Sequence, residues 1–314
     1  MGMTPRERLI AALRRQKPQG KVPHVELEFQ LSEEMFGVHA LRGEDLKDVS
    51  WPRRQDMLKR NAEHWIEVAK RFDYSYINGT HWLPRDDQIK TFQYLREMAG
   101  DTYMLSTYAD GTFSIPNGTN MMEHAAWLIE REEEALAQAQ ENVEKSIAGC
   151  LEMIQAGAEI VLMCADYCFN DGPFLSPPMF RKFVTPFLQQ QIAAWKKAGA
   201  FTVKHTDGDI MPILDQLVEC EPDAIHSLDP MAGIDIKRVK ELVGDRVCLM
   251  GNVNCALVQA GTEGQIRQSA RYCLEHGGVA KGGYVYATSN CIFMGVPPQN
   301  YLVMLDERDR WPQG

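Results

Sequence analysis

Residues 200–208, AFTVKHTDG, decide the fold. An apolar run of strand character stops at His205, Thr206, Asp207 and Gly208, and DIMPILDQLVEC (209–220) then reads as a helix. The unit recurs on both sides. AEIVLMCADY (158–167) leads to a helical stretch over roughly 176–198, and PDAIHSLDP (222–230) leads to DIKRVKELVG (235–244). DRVCLMGNVN (245–254) precedes a helix across 262–276, and GYVYATSNC (283–291) precedes a short helix near 298–306. Strands alternating with helices in this way make βα units around a parallel sheet.

Upstream the pattern is looser. The first 20 residues read as a helix, with Thr4 as N-cap and Pro5 in the first turn of TPRERLIAALRRQ (4–16). KVPHVELEF (21–29) reads as a strand in which Val25, Leu27 and Phe29 alternate with Glu26 and Glu28. An amphipathic helix follows over 52–72, then a second strand in FDYSYING (72–79). Residues 88–115 read as extended segments turning at Gly100-Asp101 and Asp110-Gly111, which suggests a hairpin. Residues 120–157 read as helix, with EREEE (130–134) as a solvated face. The count comes to about eight βα units, the number that closes a barrel. The expectation is α/β: a single (β/α)8 TIM barrel over 1–314, with residues 1–20 as an N-terminal helical extension. A doubly wound open sheet is the alternative, and no Gly-x-Gly-x-x-Gly follows the first strand to support it.

Composition narrows the class. Hydrophobic residues make up 45% and charged residues 24%, ordinary for a globular protein with a large core. The net charge of −10 argues against nucleic acid and anionic membranes as partners. No window approaches the ~18 apolar residues of a membrane span. MGMTPRERLI carries charge where a signal peptide needs its apolar core, so a cytoplasmic location is expected. Eight cysteines lie between 150 and 291, several in apolar segments, and are expected to be reduced.

Barrel enzymes work at the C-terminal ends of their strands. Those ends carry Glu26, Glu28, Asn78, Asp166, His205, Asp207, Ser227, Asp229, Asn252, Asn254, Ser289, Asn290 and Cys291. Turn-forming Asp, Asn and Ser also favour strand ends, so only part of this set is functional. His205 and Asp207 are two apart and share one face of an extended strand. Joined by Cys291, with Glu28 or else Glu26 as a fourth donor, they could hold zinc, which accepts nitrogen, oxygen and sulfur. The alternative is a hydrogen-bonded pair with no metal. His226 could line the pocket, and His24 and His81 are open as ligands or proton carriers. His64 and His124 fall in helical patterns, and Cys164 reads as core.

NDGPFLSPPMFRKFVTPF (170–187), HTDGDIMPILDQL (205–217), DAIHSLDPMAGIDIKRVKELVGDRVCLMGNV (223–253) and GVPPQNYLVML (295–305) together resemble the uroporphyrinogen decarboxylase superfamily. The resemblance runs over most of 145–306 and implies a (β/α)8 barrel. It also implies one of two activities. Decarboxylases of the family bind a tetrapyrrole through an arginine-rich segment after the first strand, whereas here QLSEEMFGVHA (30–40) holds no arginine before Arg42. Unpaired acidic substituents could not be buried there. The cobalamin-dependent methyltransferases of the family bind zinc through a His-x-Cys pair and a later Cys. His205 matches the His, Asp207 stands in place of the first Cys, and Cys291 matches the later one.

An oxygen donor in place of a thiolate leaves zinc a stronger Lewis acid, suited to an ether oxygen rather than to a thiol. The expectation is a zinc-dependent methyltransferase of an O-demethylase system, with His205, Asp207 and Glu28 catalytic. It would take a methyl group from a methyl ether, in all expectation a methoxylated aromatic, to the cob(I)alamin of a separate corrinoid protein. Asn78, Trp82, Asp166, Tyr167, Phe169, Asn252, Ser289, Asn290 and Phe293, with Met294, would form the substrate wall. The partners implied are a methyl-donor small molecule and a corrinoid protein, and a homodimer stays open as the assembly. Two other readings are a uroporphyrinogen decarboxylase-type decarboxylase and a non-catalytic corrinoid- or metabolite-binding barrel.

Overall fold

The apolar runs become the strands of one parallel sheet. In the computed structural model, which describes residues 2–312, the strands in chain order are β1 (Tyr76–Ile77), β2 (Met104–Tyr108), β3 (Ile160–Met163), β4 (Cys168–Phe169), β5 (Gly172–Pro173), β6 (Phe201–Thr206), β7 (Ala224–Ser227), β8 (Cys248–Gly251) and β9 (Tyr284–Val285). A curled seven-stranded sheet runs β1-β2-β3-β6-β7-β8-β9, each strand parallel to the next, and β4 and β5 form a small antiparallel pair. Residues 21–29 make no continuous ladder. Single bridges join His24 to Tyr74 before β1 and to Tyr286 after β9, and join Phe29 to Ile292.

Alternation along the strands explains why they read as unbroken apolar runs: both faces are buried. Ile160, Leu162, Val203, Ala224, Cys248, Met250 and Val285 point inward, where they pack with Val25 and Leu27. Val161, Met163, Ile225 and Leu249 point the other way, into a layer with Trp65, Phe72, Leu188 and Trp195 from the helices. The helix Pro5–Leu13, held by a Thr4–Glu7 capping box, packs Leu9, Ala12 and Leu13 into the inner cluster. It enters from the N-terminal ends of the strands, where the Arg6 amide bonds the Thr102 carbonyl ahead of β2 at 3.1 Å.

Other expectations change as well. Residues 88–115 are not a hairpin: a helix, Arg85–Ala99, buries Asp87, Thr91, Phe92 and Leu95 on one face. Gly100, at φ +55°, ends that helix, and β2 follows parallel to β1. The stretch 120–157 is two helices, Met121–Glu130 and Glu132–Gln155. The stretch 176–198 is also two, Pro177–Phe183 and Thr185–Lys197, because Pro186 lacks the amide an unbroken helix would need and sits instead in a first turn. Helices Trp51–Phe72 and Glu263–His276 fall where the periodicity put them, and the last helix extends to Pro298–Arg310. All eight cysteines are free thiols. Among the described residues, no helix is long and apolar enough to cross a membrane.

Candidate functional site

His205 is the penultimate residue of β6 and Asp207 follows that strand directly. Gly208 then turns the chain at φ +82°, so close to the β4 strand that a Cβ would lie 2.5 Å from the carbonyl oxygens of Cys168 and Phe169. Only glycine fits both demands. The turn leaves the Asp207 carboxylate held from the end of β7 and from the segment after β9. Its Oδ1 accepts from the Ser227 hydroxyl at 2.6 Å, and its Oδ2 accepts from the Asn290 amide at 2.6 Å.

Asp166, in the loop after β3, completes the centre. Its Oδ1 accepts the Asp207 backbone amide at 3.0 Å. His205 Nε2 lies 3.9 Å from Asp166 Oδ1 and 3.8 Å from Asp207 Oδ1, beyond hydrogen-bond range of either. The three side chains each offer a ligand atom within 4.8 Å of the others. Burial dominates the chemistry of the two groups from the β6 segment. It pulls the His205 imidazole down to about 3 and pushes the Asp207 carboxyl up to about 6, against the Ser227 and Asn290 donors that favour its charged form. The free Nε2 of a buried histidine, facing two carboxylates, fits a divalent cation with nitrogen and oxygen ligands.

Cys291 and Glu28 are brought to each other rather than into this triad. The Cys291 Sγ is 3.7 Å from Glu28 Oε2. Glu28 Oε1 accepts from the Gln30 amide at 3.0 Å and lies 3.7 Å from His81 Nε2. Burial, then the Glu28 charge, pushes the Cys291 thiol up. Burial also works to raise Glu28, but the His81 and Gln30 donors outweigh it and hold the carboxyl below its usual range. Asn290 links the two groups, since its Oδ1 accepts the Cys291 amide at 2.8 Å. Glu26, the weaker expectation for a fourth ligand, is fully buried away from the triad. It accepts the Thr288 amide and hydroxyl at 3.0 and 2.6 Å, lies 3.1 Å from His24 Nε2, and is pushed by burial up to about 8.

The expected wall residues divide. Trp82 and Tyr108 flank His81, with ring centroids 4.8 and 4.4 Å from it, and the Arg42 guanidinium lies 4.6 Å over Trp82. Phe169 and Met294 are exposed and Phe293 is half-buried. Tyr167 instead points into packing, its hydroxyl 2.6 Å from Thr112 Oγ1. Asn78 and Asn252 are buried and spend their amides on the carbonyls of Glu26, Leu27 and Leu228. Ser289 is buried, 3.4 Å from the Cys255 amide. The sequence reading passed over two contacts. Lys204 is fully buried and donates to Asp110 and to the Ala165 carbonyl, both at 2.8 Å, fixing the chain one residue before Asp166. A lysine in the middle of the apolar run TVKHT was its signal. The other is His226, whose Nδ1 lies 2.8 Å from His205 Nδ1.

Comparison with known proteins gives a consistent frame. A family model described as uroporphyrinogen decarboxylase (URO-D) matches residues 94–311. The uroporphyrinogen decarboxylase of Chlorobium luteolum is 28% identical over 156 residues, 49% of this chain and 42% of that enzyme. The one from Chlorobaculum tepidum is 26% identical over 213 residues, 66% of this chain and 57% of that enzyme. The matched stretch thus spans about half the length of these curated relatives. A solved methyltransferase from Methanosarcina mazei superimposes with a TM-score of 0.73 at 19% identity, covering 98% of this chain and 99% of that one, and so shares the fold.

Proposed function

The chain belongs to the uroporphyrinogen decarboxylase family, and from that premise we propose that it is a zinc-dependent methyltransferase, moving a methyl group from a methoxylated aromatic to the cob(I)alamin of a separate corrinoid protein. The convergence of Asp166, His205 and Asp207 carries this reading. The curled sheet with residues 24–29 bridged to both outer strands supports a closed (β/α)8 barrel over 1–314 as its frame. Eight free thiols support a reducing, cytoplasmic setting.

His205, Asp207 and Asp166 would hold the ion, with Cys291 and Glu28 as a neighbouring pair of donors. When bound, zinc supplies Lewis acidity toward the oxygen that loses its methyl group. The methyl carbon–oxygen bond breaks with its electron pair left on oxygen, which takes up one proton to become a hydroxyl. A reduced corrinoid would supply the electron pair for the new bond to the methyl carbon, so no outside oxidant or reductant would be needed. Ser227 and Asn290 keep the Asp207 carboxylate in place, and the Asp207 amide does the same for Asp166. Trp82, His81 and Tyr108, with neighbouring rings tilted by 50° and 40°, offer an aromatic shelf beside Glu28 for the ring of the donor.

The names of the curated relatives favour a second reading, decarboxylation of a porphyrinogen. The carboxylates of Asp166, Asp207 and Glu28 at the mouth oppose it, since a tetrapyrrole brings acidic groups of its own. One experiment separates the two. The protein is assayed for bound zinc, then mixed with reduced corrinoid protein and a panel of methoxyarenes, and separately with uroporphyrinogen. About one zinc per chain, lost in His205→Ala, with methyl transfer from ethers, supports the proposal. Full methyl transfer by metal-free protein, transfer from amines or thiols alone, or turnover of uroporphyrinogen overturns it.

A further inference from the structure

His226 touches the ring of His205 and no substrate role has been given to it. Strands β6 and β7 pair with His205 directly opposite His226, which sets the two imidazoles side by side with centroids 5.0 Å apart. Both are buried, and their Nδ1 atoms are 2.8 Å apart, so one must donate and the other accept. Which one donates is decided a bond further on. His226 Nε2 lies 3.1 Å from the Thr288 carbonyl oxygen. A carbonyl only accepts, so Nε2 carries the hydrogen.

The rest follows from counting protons. A neutral imidazole has one N–H, which leaves His226 Nδ1 as a bare acceptor. His205 must then donate from its Nδ1, and its Nε2 is left as a lone pair. That lone pair is the atom facing Asp166 Oδ1 and Asp207 Oδ1 at 3.9 and 3.8 Å. Three acceptors turned toward one point are reconciled by a cation between them. The carbonyl that starts the chain is itself anchored, because the Thr288 amide and hydroxyl are both bonded to the buried Glu26 carboxyl.

We propose that His226 is a positioning residue that locks His205 in its Nδ1–H form, so that Nε2 is held ready as a ligand for a divalent cation. The ligand half of this statement rests on the metal reading above, and the tautomer half does not. Outer partners of metal-binding histidines act in this way, and their loss lowers metal affinity by roughly 10- to 100-fold.

The test uses the metal-free full-length chain with ¹⁵N-labelled histidine. Long-range ¹H–¹⁵N spectra should show His205 Nδ1 protonated and Nε2 bare, and titration with Zn²⁺ should move the Nε2 signal. His226→Leu, of similar volume, should lose that tautomer and weaken zinc binding by roughly 10- to 100-fold. His226→Asn, which keeps an acceptor near the place of Nδ1, should recover most of the affinity. A wild-type His205 protonated at Nε2 overturns the proposal, and needs no variant to be seen. A folded His226→Leu protein that binds zinc as the wild type does overturns it as well. If the tautomer is as stated and His226→Leu loses it, but the wild type binds no zinc, the positioning role stands and the metal reading falls.

Discussion

The Asn290 side-chain amide donates to Asp207 Oδ2 at 2.6 Å, across 83 residues of chain. This contact ties the segment after β9 to the end of β6, and it is one of two donors that keep the Asp207 carboxylate charged inside the sheet mouth. Replacing Asn290 by Ala removes it. Because the bond favours the charged form, its loss should raise the Asp207 carboxyl further above about 6. Carboxyl ¹³C titration of the metal-free protein reads the shift, and an unchanged titration would mean that Asn290 contributes nothing there.

Zinc binding should depend on pH through Asp207 first. A carboxyl that ionises at about 6 must lose its proton to become a ligand, so affinity should fall as pH drops through that value with a slope of one proton. His205, held down to about 3, should not compete until far lower pH. Folding of the metal-free chain should show the opposite sign. The folded-state value of Asp207 lies above its ordinary value of 3.8, so its contribution to stability is fully present below that value and is lost as pH rises through about 6. Thermal melts between pH 4 and pH 7 should reveal this component in the wild type and miss it in Asp207→Asn.

Lys204→Met should be among the most damaging single changes. It leaves Asp110 buried without its cation and frees the Ala165 carbonyl, and breaking such a pair costs about 3–5 kcal/mol. Adding Asp110→Asn should recover part of the loss, since the stranded charge is then gone. Denaturant unfolding of the two single variants and the double variant measures the coupling. Strict additivity would contradict it.

Selectivity among donors should follow charge. Glu28, Asp166 and Asp207 expose 20%, 46% and 32% of their side chains at the mouth. A like charge brought against them costs several kcal/mol when unshielded. Neutral methoxyarenes should therefore exceed methoxybenzoates in kcat/KM by roughly 10-fold or more, a bound divalent cation offsetting the rest. Glu28→Gln should narrow the gap. Equal rates for neutral and anionic donors in the wild type would count against the shelf beside Glu28 as the donor site.

The C-terminal half was legible because its strands are apolar on both faces and break off in polar residues, a contrast that single-residue patterns carry well. KVPHVELEF was harder. Its alternation is real, with Val25 and Leu27 turned to the inner cluster, but Glu26 on the other face is buried against Thr288 rather than solvated. Residues 85–99 hid their helix behind aromatic and β-branched residues, although Asp87, Thr91 and Leu95 repeat at its period. At the site, the two-residue spacing put His205 and Asp207 on one face, and their side chains approach to 3.8 Å. The meeting of Asp166 with them, and the pairing of Cys291 with Glu28, depend on how separate strand ends converge, which spacing along the chain does not encode. His226 was within reach of reasoning, since strand register sets it opposite His205.

The helix Pro5–Leu13 gives the molecule a direction. By filling the inner cluster from the N-terminal ends of the strands with Leu9, Ala12 and Leu13, it seals the far side of the sheet from the triad. Anything that reaches His205 has to arrive, and leave, at the other end. On the reading proposed above, a methyl donor and a corrinoid partner would share a single doorway, so the donor would have to enter first, and an excess of the corrinoid protein should slow turnover by covering the entrance.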